Sequence, residues 1–295
     1  MNKGIWYAFG AYFIWGTFPV YWKWLGRVPA LQVIGHRIIW SFLMLMVFVL
    51  VTKRWRAFKA VLTGQILPVY LAAGLLLSAN WLIYVWAVNA DYIVETSLGY
   101  FISPLFSVVL GVAFLRERLR VMQWVPVAIA TLGVLYLAFM YGSLPWIALS
   151  LAATFGIYGL VKKVASLGAL FGLTLETGLV FLPALAYLIY TDTQGTGAFA
   201  HSGYRLDILM VGAGLVTTVP LLLFASAAQR IPLTMVGILQ YIAPTLQFLI
   251  GVLVFKEPFS GARLVGFSMV WVALVLFWGE GVMTRLTQGK ALPAS

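Results

Sequence analysis

Four residues with ionisable side chains lie within long apolar stretches of the 295-residue chain: His36, Arg37, Glu95 and Glu176. A charge there is costly unless it is paired or hydrated, so such residues mark ion pairs, proton carriers or substrate contacts. Arg37 and Glu95 lie at comparable depths, which favours a structural ion pair between them. For His36 and Glu176 the structural and functional interpretations stay equally open.

Two stretches carry stripes of polar and small residues at helical spacing. The first stripe consists of Tyr100, Pro104, Ser107 and Gly111, and the second, at the equivalent positions later in the chain, consists of Gln240, Pro244, Gln247 and Gly251. Proline within a span frees a backbone carbonyl, so Pro104 and Pro244 predict helix kinks beside a cavity or a polar neighbour. The two faces predict a central pathway, with helix packing through small and polar residues as the alternative.

Aromatic faces precede these stripes and recur with the same separation along the chain. They consist of Tyr12, Trp15 and Pro19, then Asn80, Tyr84 and Ala87, with Phe155, Gly159, Pro220 and Phe224 among their counterparts. An aromatic, weakly polar cavity suits a neutral, amphipathic or aromatic organic solute better than an inorganic ion. The remaining tryptophans are predicted to lie at the membrane interface; they are Trp22, Trp24, Trp55, Trp81, Trp124, Trp146 and Trp278.

The composition predicts that membrane-spanning helices position these residues. Hydrophobic residues make up 63% of the chain and charged residues only 9%, which excludes a soluble enzyme, a nucleic-acid-binding domain and a disordered protein. We predict an all-α integral membrane protein, because ten runs approach the length of about 20 apolar residues that a span needs. They are roughly 4–22, 31–52, 66–89, 93–115, 121–140, 144–161, 169–190, 208–228, 232–254 and 263–281.

The basic residues predict the orientation in a bacterial inner membrane. With a cytoplasmic N-terminus, 13 of the 19 Lys and Arg residues, including Lys162 and Lys163, lie on the cytoplasmic side. This bias predicts that both termini are cytoplasmic, and it explains the net charge of +11 without a nucleic-acid partner. The first run is predicted to be a retained span, not a cleaved signal peptide.

An internal repeat divides the chain into residues 1–140 and 141–295, each with five predicted spans. Its strongest segment runs from Pro104 through Gly111 to Glu117 and is matched at an offset of 140 by Pro244, Gly251 and Glu257. We interpret Glu117 and Glu257 as structural features of helix ends. An odd number of spans per unit inverts the second copy, which is the plan of many secondary transporters.

Seven segments resemble the RarD-like, or chloramphenicol-sensitive, members of the EamA-like drug/metabolite transporter superfamily. They are GAYFIWGTFPVYWKWL (10–25), GHRIIWS (35–41), NWLIYVWAVNADYIVETSLGYFISPL (80–105), LRERLRVMQW (115–124), FGIYGLVKK (155–163), LETGLVFLPALAYL (175–188) and GILQYIAPTLQFLIGVLVFKEP (237–258). The resemblance implies a ten-helix carrier whose central cavity lies among the first, third, fourth, sixth, eighth and ninth helices. It carries over His36, Arg37, Asn80, Glu95, Tyr100, Gln240 and Gln247 without assigned roles.

These observations predict a secondary transporter that exports a small organic metabolite or drug-like molecule by alternating access. Any proton coupling is predicted to run through Glu176, Glu95 or His36. The sequence carries no P-loop, zinc or nucleophile-elbow motif and no cysteine, so we expect no enzyme activity, cofactor or metal. The alternative is a channel or a non-transporting structural membrane protein. The oligomeric state stays open.

Overall fold

A computed structural model describes residues 2–90, 92–142, 144–256 and 261–289. The side chains at 88–89, 93–95, 97, 141, 262–263, 267 and 281–289 lie outside that description. Twelve α-helices and one π-helical turn are present in the described ranges. They are α1 (Lys3–Trp24), α2 (Ala30–Val51), α3 (Trp55–Ala60), α4 (Leu67–Asn89), α5 (Ile93–Ala113), α6 (Val121–Tyr141), α7 (Trp146–Val164), α8 (Ala169–Thr193), α9 (Tyr204–Ala228), α10 (Leu233–Gln240), α11 (Ile242–Leu249), the π-turn (Ile250–Val254) and α12 (Gly261–Gly289).

The fold is that of an all-α membrane protein. Among the described residues, seven helical segments are long and apolar enough to cross a bilayer. They are Ala30–Val51, Leu67–Ala87, Val121–Met140, Trp146–Val164, Ala169–Thr193, Tyr204–Ala228 and Leu233–Val254. The other three predicted spans fall on α1, α5 and α12, of which α5 and α12 contain the shorter apolar segments Leu98–Ala113 and Leu264–Glu280.

Local chemistry sets several helix ends. The Asn2 side chain accepts a hydrogen bond from the Gly4 amide at 2.9 Å and so caps α1. Helix α6 ends at Gly142, whose φ of +82° is the left-handed conformation that favours glycine at this position. The predicted span 232–254 is interrupted at Tyr241, between α10 and α11, three residues before Pro244. Pro104, by contrast, lies within an uninterrupted α5.

Glu117 connects the segment after α5 to the start of α10. Its carboxylate accepts hydrogen bonds from the amides of Leu233 at 2.6 Å and Thr234 at 2.8 Å. These are two of the helix N-terminal amides that have no partner within their own helix. Gly111 provides the room, because a methyl group on it would lie 2.7 Å from the Glu117 carboxylate. Glu117 is therefore an N-terminal cap supplied by a distant segment; the prediction for Glu257 lies outside the described residues.

Replacing Glu117 with Ala should lower the stability by about 2 kcal/mol, because two amides at the start of α10 lose a charged acceptor. Thermal unfolding of the purified protein in detergent would measure the loss as a lower midpoint. Glu117→Gln, which keeps one carbonyl acceptor, should fall between the alanine variant and the wild type. Equal midpoints for all three proteins would contradict the capping role.

Several close contacts recur at positions 140 residues apart, with their partners exchanged. A methyl group on Gly16 would lie 2.6 Å from Leu246, and one on Gly156 would lie 2.5 Å from Phe106. Gly74 faces Val180, and Gly214 faces Trp40. In each case the two glycines are 140 residues apart in the sequence, and their two partners are also 140 residues apart. The backbone at Arg116 and at its counterpart Lys256 has nearly the same positive φ, 54° and 56°.

Helix packing follows the same exchange. Helix α1 packs against α9 and α11, while its counterpart α7 packs against α4 and α5. The pairs α2–α8, α5–α10 and α6–α12 each join an element to its own counterpart. The hydroxyl of Tyr241 donates to the carbonyl of Phe101, the residue 140 positions earlier. The largest buried cluster draws most of its residues from α1, α4, α7, α9 and α10, and it contains Tyr12, Tyr158 and Phe224.

Candidate functional site

A cavity of about 270 Å³ lies among α1, α2, α4, α5, α7, α9, α10 and α11. Eight of the predicted cavity residues line it: Tyr12, Trp15, Asn80, Tyr84, Tyr100, Phe155, Gln240 and Gln247. The predicted kink residue Pro244 also lines it, as does Pro19 of the first aromatic face. The structure therefore brings residues from both polar stripes and both aromatic faces to one place.

Two predicted cavity residues, Ser107 and Phe224, do not line this cavity. Ser107 is buried where α5 meets α10, and a methyl group on Gly237 would lie 2.9 Å from its Cβ. Pro104 lies in the same contact, with its carbonyl facing Gly237. Phe224 is 1% exposed and stacks on Tyr158 with the ring centroids 5.9 Å apart, so it supports the cavity wall from behind.

Trp22 and Trp81 are interface residues in the sequence-based prediction, but they line the cavity and flank Arg37. The Arg37 guanidinium carbon lies 3.9 Å from the Trp81 ring centroid and 4.9 Å from that of Trp22. The sequence does hold a signal for Trp22, since it follows Trp15 by two helical turns and so shares its helix face. The exposed position of Trp24, at 61%, and of Trp278, at 75%, fits an interface role.

Arg37 is the one charged side chain in the described cavity lining. Its Nε donates to the hydroxyl of Thr217 at 2.9 Å. Among the side chains that the structure describes, no carboxylate lies within ion-pair distance of it. The predicted partner, Glu95, has a side chain outside the described set, so the pair stays a prediction.

Hydrogen bonds to neighbouring helices orient two amides of the lining. The Asn80 amide nitrogen donates to the Leu151 carbonyl and to the Thr154 hydroxyl, each at 2.9 Å. The Gln247 amide nitrogen donates to the Trp15 carbonyl at 3.1 Å. By contrast, Tyr12 Oη and Gln240 Oε1 are buried without a hydrogen-bond partner in the described structure.

The cavity lies to one side of the repeat. At its floor both members of a repeat pair line it, as with Trp15 and Phe155 or Tyr100 and Gln240. Towards the end of α1, only the first-half members line it. The second-half counterparts of Phe18, Trp22, Arg37, Leu77 and Tyr84 do not line it and are all buried; they are Tyr158, Lys162, Thr177, Thr217 and Phe224.

Lys162, one of these buried counterparts, forms an ion pair with Glu176. Their Nζ and Oε1 atoms are 2.6 Å apart, and the two side chains are 0% and 1% exposed. The Tyr158 hydroxyl donates to the other Glu176 oxygen at 3.2 Å. The sequence-based charge count places Lys162 on the cytoplasmic side, and the structure shows that its side chain is directed into the protein and not into solvent. Glu176 does not line the cavity.

His36 lies outside the cavity, in a second pocket of about 430 Å³ that also contains His201. Its ring is 5.2 Å from that of Phe199. His201 contacts Asp192 at 3.0 Å at the exposed rim. The predicted charged residues with described side chains therefore occupy three separate environments. Within the described residues, no three His, Cys, Asp or Glu side chains are grouped so that they could hold a metal ion.

The fold and cavity define a multi-pass helical membrane protein with a central chamber of solute size. The EamA-like transporter family model matches residues 2–139. Relatives align along the whole chain, and this chain belongs to the EamA-like family, among its RarD-like members.

Three relatives illustrate the relationship. An uncharacterized transporter, YojE of Bacillus subtilis, is 47% identical, with 94% of this chain and 93% of the relative aligned. Protein RarD of Escherichia coli K12 is 40% identical, with 98% of both chains aligned. Chloramphenicol-sensitive protein RarD of Pseudomonas aeruginosa is 30% identical, with 96% of both aligned.

A solved crystal structure has the same fold. It superposes with a TM-score of 0.69 over 94% of this chain and 97% of the other, at 17% sequence identity. At that identity the likeness concerns the fold alone. The printed name of the Bacillus subtilis relative agrees with a membrane transporter.

Proposed function

We propose that the chain is a secondary transporter of small organic molecules that works by alternating access. The observation that carries this proposal is the one-sided cavity: equivalent positions of the two halves are open in one half and buried in the other. In an inverted repeat, exchanging the conformations of the halves would close this cavity and open its counterpart on the opposite side.

The proposal includes ten spans arranged as two inverted halves, 1–140 and 141–295. The exchanged contacts of Gly16 with Leu246 and of Gly156 with Phe106 support this relation. The hydrogen bond between Tyr241 and Phe101 joins equivalent positions, as a contact on a two-fold axis does. With both termini cytoplasmic in a bacterial inner membrane, the cavity would face the outside.

Cysteine labelling tests alternating access directly, because the chain contains no native cysteine. Phe18→Cys places a thiol in the cavity, and Tyr158→Cys places one at the buried counterpart. A membrane-impermeant maleimide added to intact cells should label the first variant and not the second. In inside-out vesicles, a transported solute should increase labelling of Tyr158→Cys, because it drives the cavity through both orientations.

Two exposed positions serve as orientation controls: Leu144→Cys, after α6, should react from outside, and Leu62→Cys, after α3, only from inside. Simultaneous labelling of Phe18→Cys and Tyr158→Cys from one side would instead indicate a continuous channel.

Solutes for these tests would come from thermal-shift screening of metabolites and antibiotics, followed by counterflow in proteoliposomes. A carrier saturates and counter-exchanges, a channel does not saturate, and a structural protein shows neither.

The proposal includes proton coupling. Glu176 is buried against a cation, and His36 lies outside the cavity, so neither contacts a solute at the site described. Coupling through Glu176 would require the Lys162 ion pair to open during the cycle. Any proton transfer to or from Glu176 would therefore require movement of the residues packed around the buried Lys162–Glu176 pair.

A further inference from the structure

We infer that the solute of this cavity is an organic anion, whose carboxylate or phosphate binds Arg37 and whose apolar or aromatic body lies against the aromatic wall. The inference rests on the proposed function in taking the cavity as the solute site. The aromatic residues alone fit a neutral, amphipathic or aromatic solute, and Arg37 narrows this set to organic anions.

The charge of the cavity wall favours an anion. A cavity lined mainly by aromatic and apolar side chains offers little solvation, so a guanidinium in its wall strongly favours an anion beside it. Arg37 is half-buried and lines the cavity, and the described carboxylates are all too far away to neutralise it. The described acidic side chains lie in the Glu117 cap, in ion pairs or in the region around His201.

The geometry of Arg37 fits an anion contact. Its guanidinium carbon lies over the rings of Trp81 and Trp22, and Thr217 is the described protein acceptor that uses its Nε. The other guanidinium N–H donors have no described protein acceptor and are available to a bound molecule. Two edge N–H groups match the two oxygens of a carboxylate or phosphate in a bidentate contact. Thr217 and the two tryptophans fix the orientation in advance.

The rest of the lining fits an apolar or aromatic body. Tyr84 and Tyr100 lie 5.9 Å apart between ring centroids, and Trp15 and Phe155 lie 5.7 Å apart, so aromatic surface covers much of the wall. The site therefore has one anion-binding edge and a larger aromatic surface.

A matched set of probes tests the inference: naphthylacetate, its neutral amide, the corresponding naphthylethylamine and naphthyl phosphate, all with the same ring. Binding to the purified full chain would be measured by calorimetry and thermal shift. We expect at least one of the two anions to bind about tenfold more tightly than the amide, and the amine to bind most weakly. The two anions distinguish a carboxylate site from a phosphate site.

Arg37→Met should abolish the preference for anions, whereas Arg37→Lys should keep it at reduced affinity. Arg205→Met, which removes an exposed cation outside the cavity, should bind like the wild type. If Arg37→Met does not fold, the order of the probe affinities for the wild type and for Arg37→Lys still tests whether the site prefers anions. Equal binding of anion and amide to the wild type, preference for the amine, or no binding of any probe at millimolar concentration would overturn the inference.

Three further outcomes bear on the inference, and the last two separate it from the proposed function. If Glu95 neutralises Arg37, the wild type will show no anion preference, and Glu95→Gln will create one; that result overturns the inference. Counterflow of the amine without counterflow of the anions would support transport and contradict the anion site. Anion-selective binding that depends on Arg37, without saturable counterflow of any probe, would support the site and contradict transport.

Discussion

Replacing Lys162 with Met should destabilise the protein by about 3 kcal/mol, because the carboxylate of Glu176 would remain buried without its counter-ion. The effect should be similar for Glu176→Gln, which leaves the ammonium group of a fully buried lysine unpaired. Thermal unfolding in detergent, or unfolding by a denaturing detergent, would report the loss. Lys59→Met, which removes an exposed lysine near the end of α3, should leave the midpoint unchanged.

The double variant Lys162→Met, Glu176→Met should recover most of that stability, since buried ion pairs are often replaceable by apolar residues of similar volume. Recovery would show that the cost in each single variant arises from the unpaired charge. A single variant as stable as the wild type would indicate that water reaches the pair. Such a result would contradict the packing found around Tyr158 and Gly172.

The double variant also separates proton coupling from structure. If Glu176 carries a proton, the double variant should retain counterflow but lose accumulation driven by a proton gradient. If the pair only closes one side of the protein, both activities should persist. Glu176→Gln alone cannot make this distinction, because its buried lysine affects folding as well.

Replacing Gly237 with Ala should cost about 2 kcal/mol and reduce transport, because the added methyl group would lie 2.6 Å from the Pro104 carbonyl and 2.9 Å from Ser107 Cβ. The backbone carbonyl cannot move aside as the tip of a side chain can, so α5 and α10 must separate. These helices also provide Tyr100 and Gln240 to the cavity floor. Unfolding midpoints and initial rates of counterflow would measure both effects.

Gly159→Ala is the matched control, since a methyl group there would meet Phe224 at an ordinary contact distance of 3.4 Å. It should be neutral or slightly stabilising, because alanine favours a helix more than glycine does. Adding Ser107→Gly to Gly237→Ala should recover only part of the loss, since the Pro104 carbonyl remains. Wild-type stability of Gly237→Ala would mean that the helices have room to separate.

Much of the cavity could be predicted from sequence because helical spacing places residues on a face without knowledge of the partner helix. Tyr100, Pro104, Ser107 and Gly111 form a stripe whatever lies opposite. The spacing cannot say how far along the stripe the cavity extends. In the structure the cavity ends between Ser103, which lines it, and Ser107, which packs against α10.

The ion pair of Lys162 and Glu176 escapes prediction from sequence for a different reason. A lysine beside Lys163 at the end of an apolar run resembles a loop charge, and Lys163 does use its ammonium group to bind the Ile231 carbonyl at a helix end. The direction of each side chain depends on the rotation of α7 against α4 and α8, which the sequence does not specify. The long lysine side chain then reaches a carboxylate that is on the next helix.

If the chain works by the proposed alternating access, the Lys162–Glu176 pair also affects how its two orientations are populated. Its counterparts in the first half are Trp22 and His36, which cannot form an equivalent ion pair. If the halves exchange conformations, the pair stabilises only the orientation described here. Every increment of about 1.4 kcal/mol in that difference shifts the resting population tenfold. A solute would then half-saturate the carrier at a lower concentration from the cavity side than from the opposite side. The direction of net flux would still be set by the gradients, so the asymmetry would change rates and half-saturation without changing the equilibrium reached.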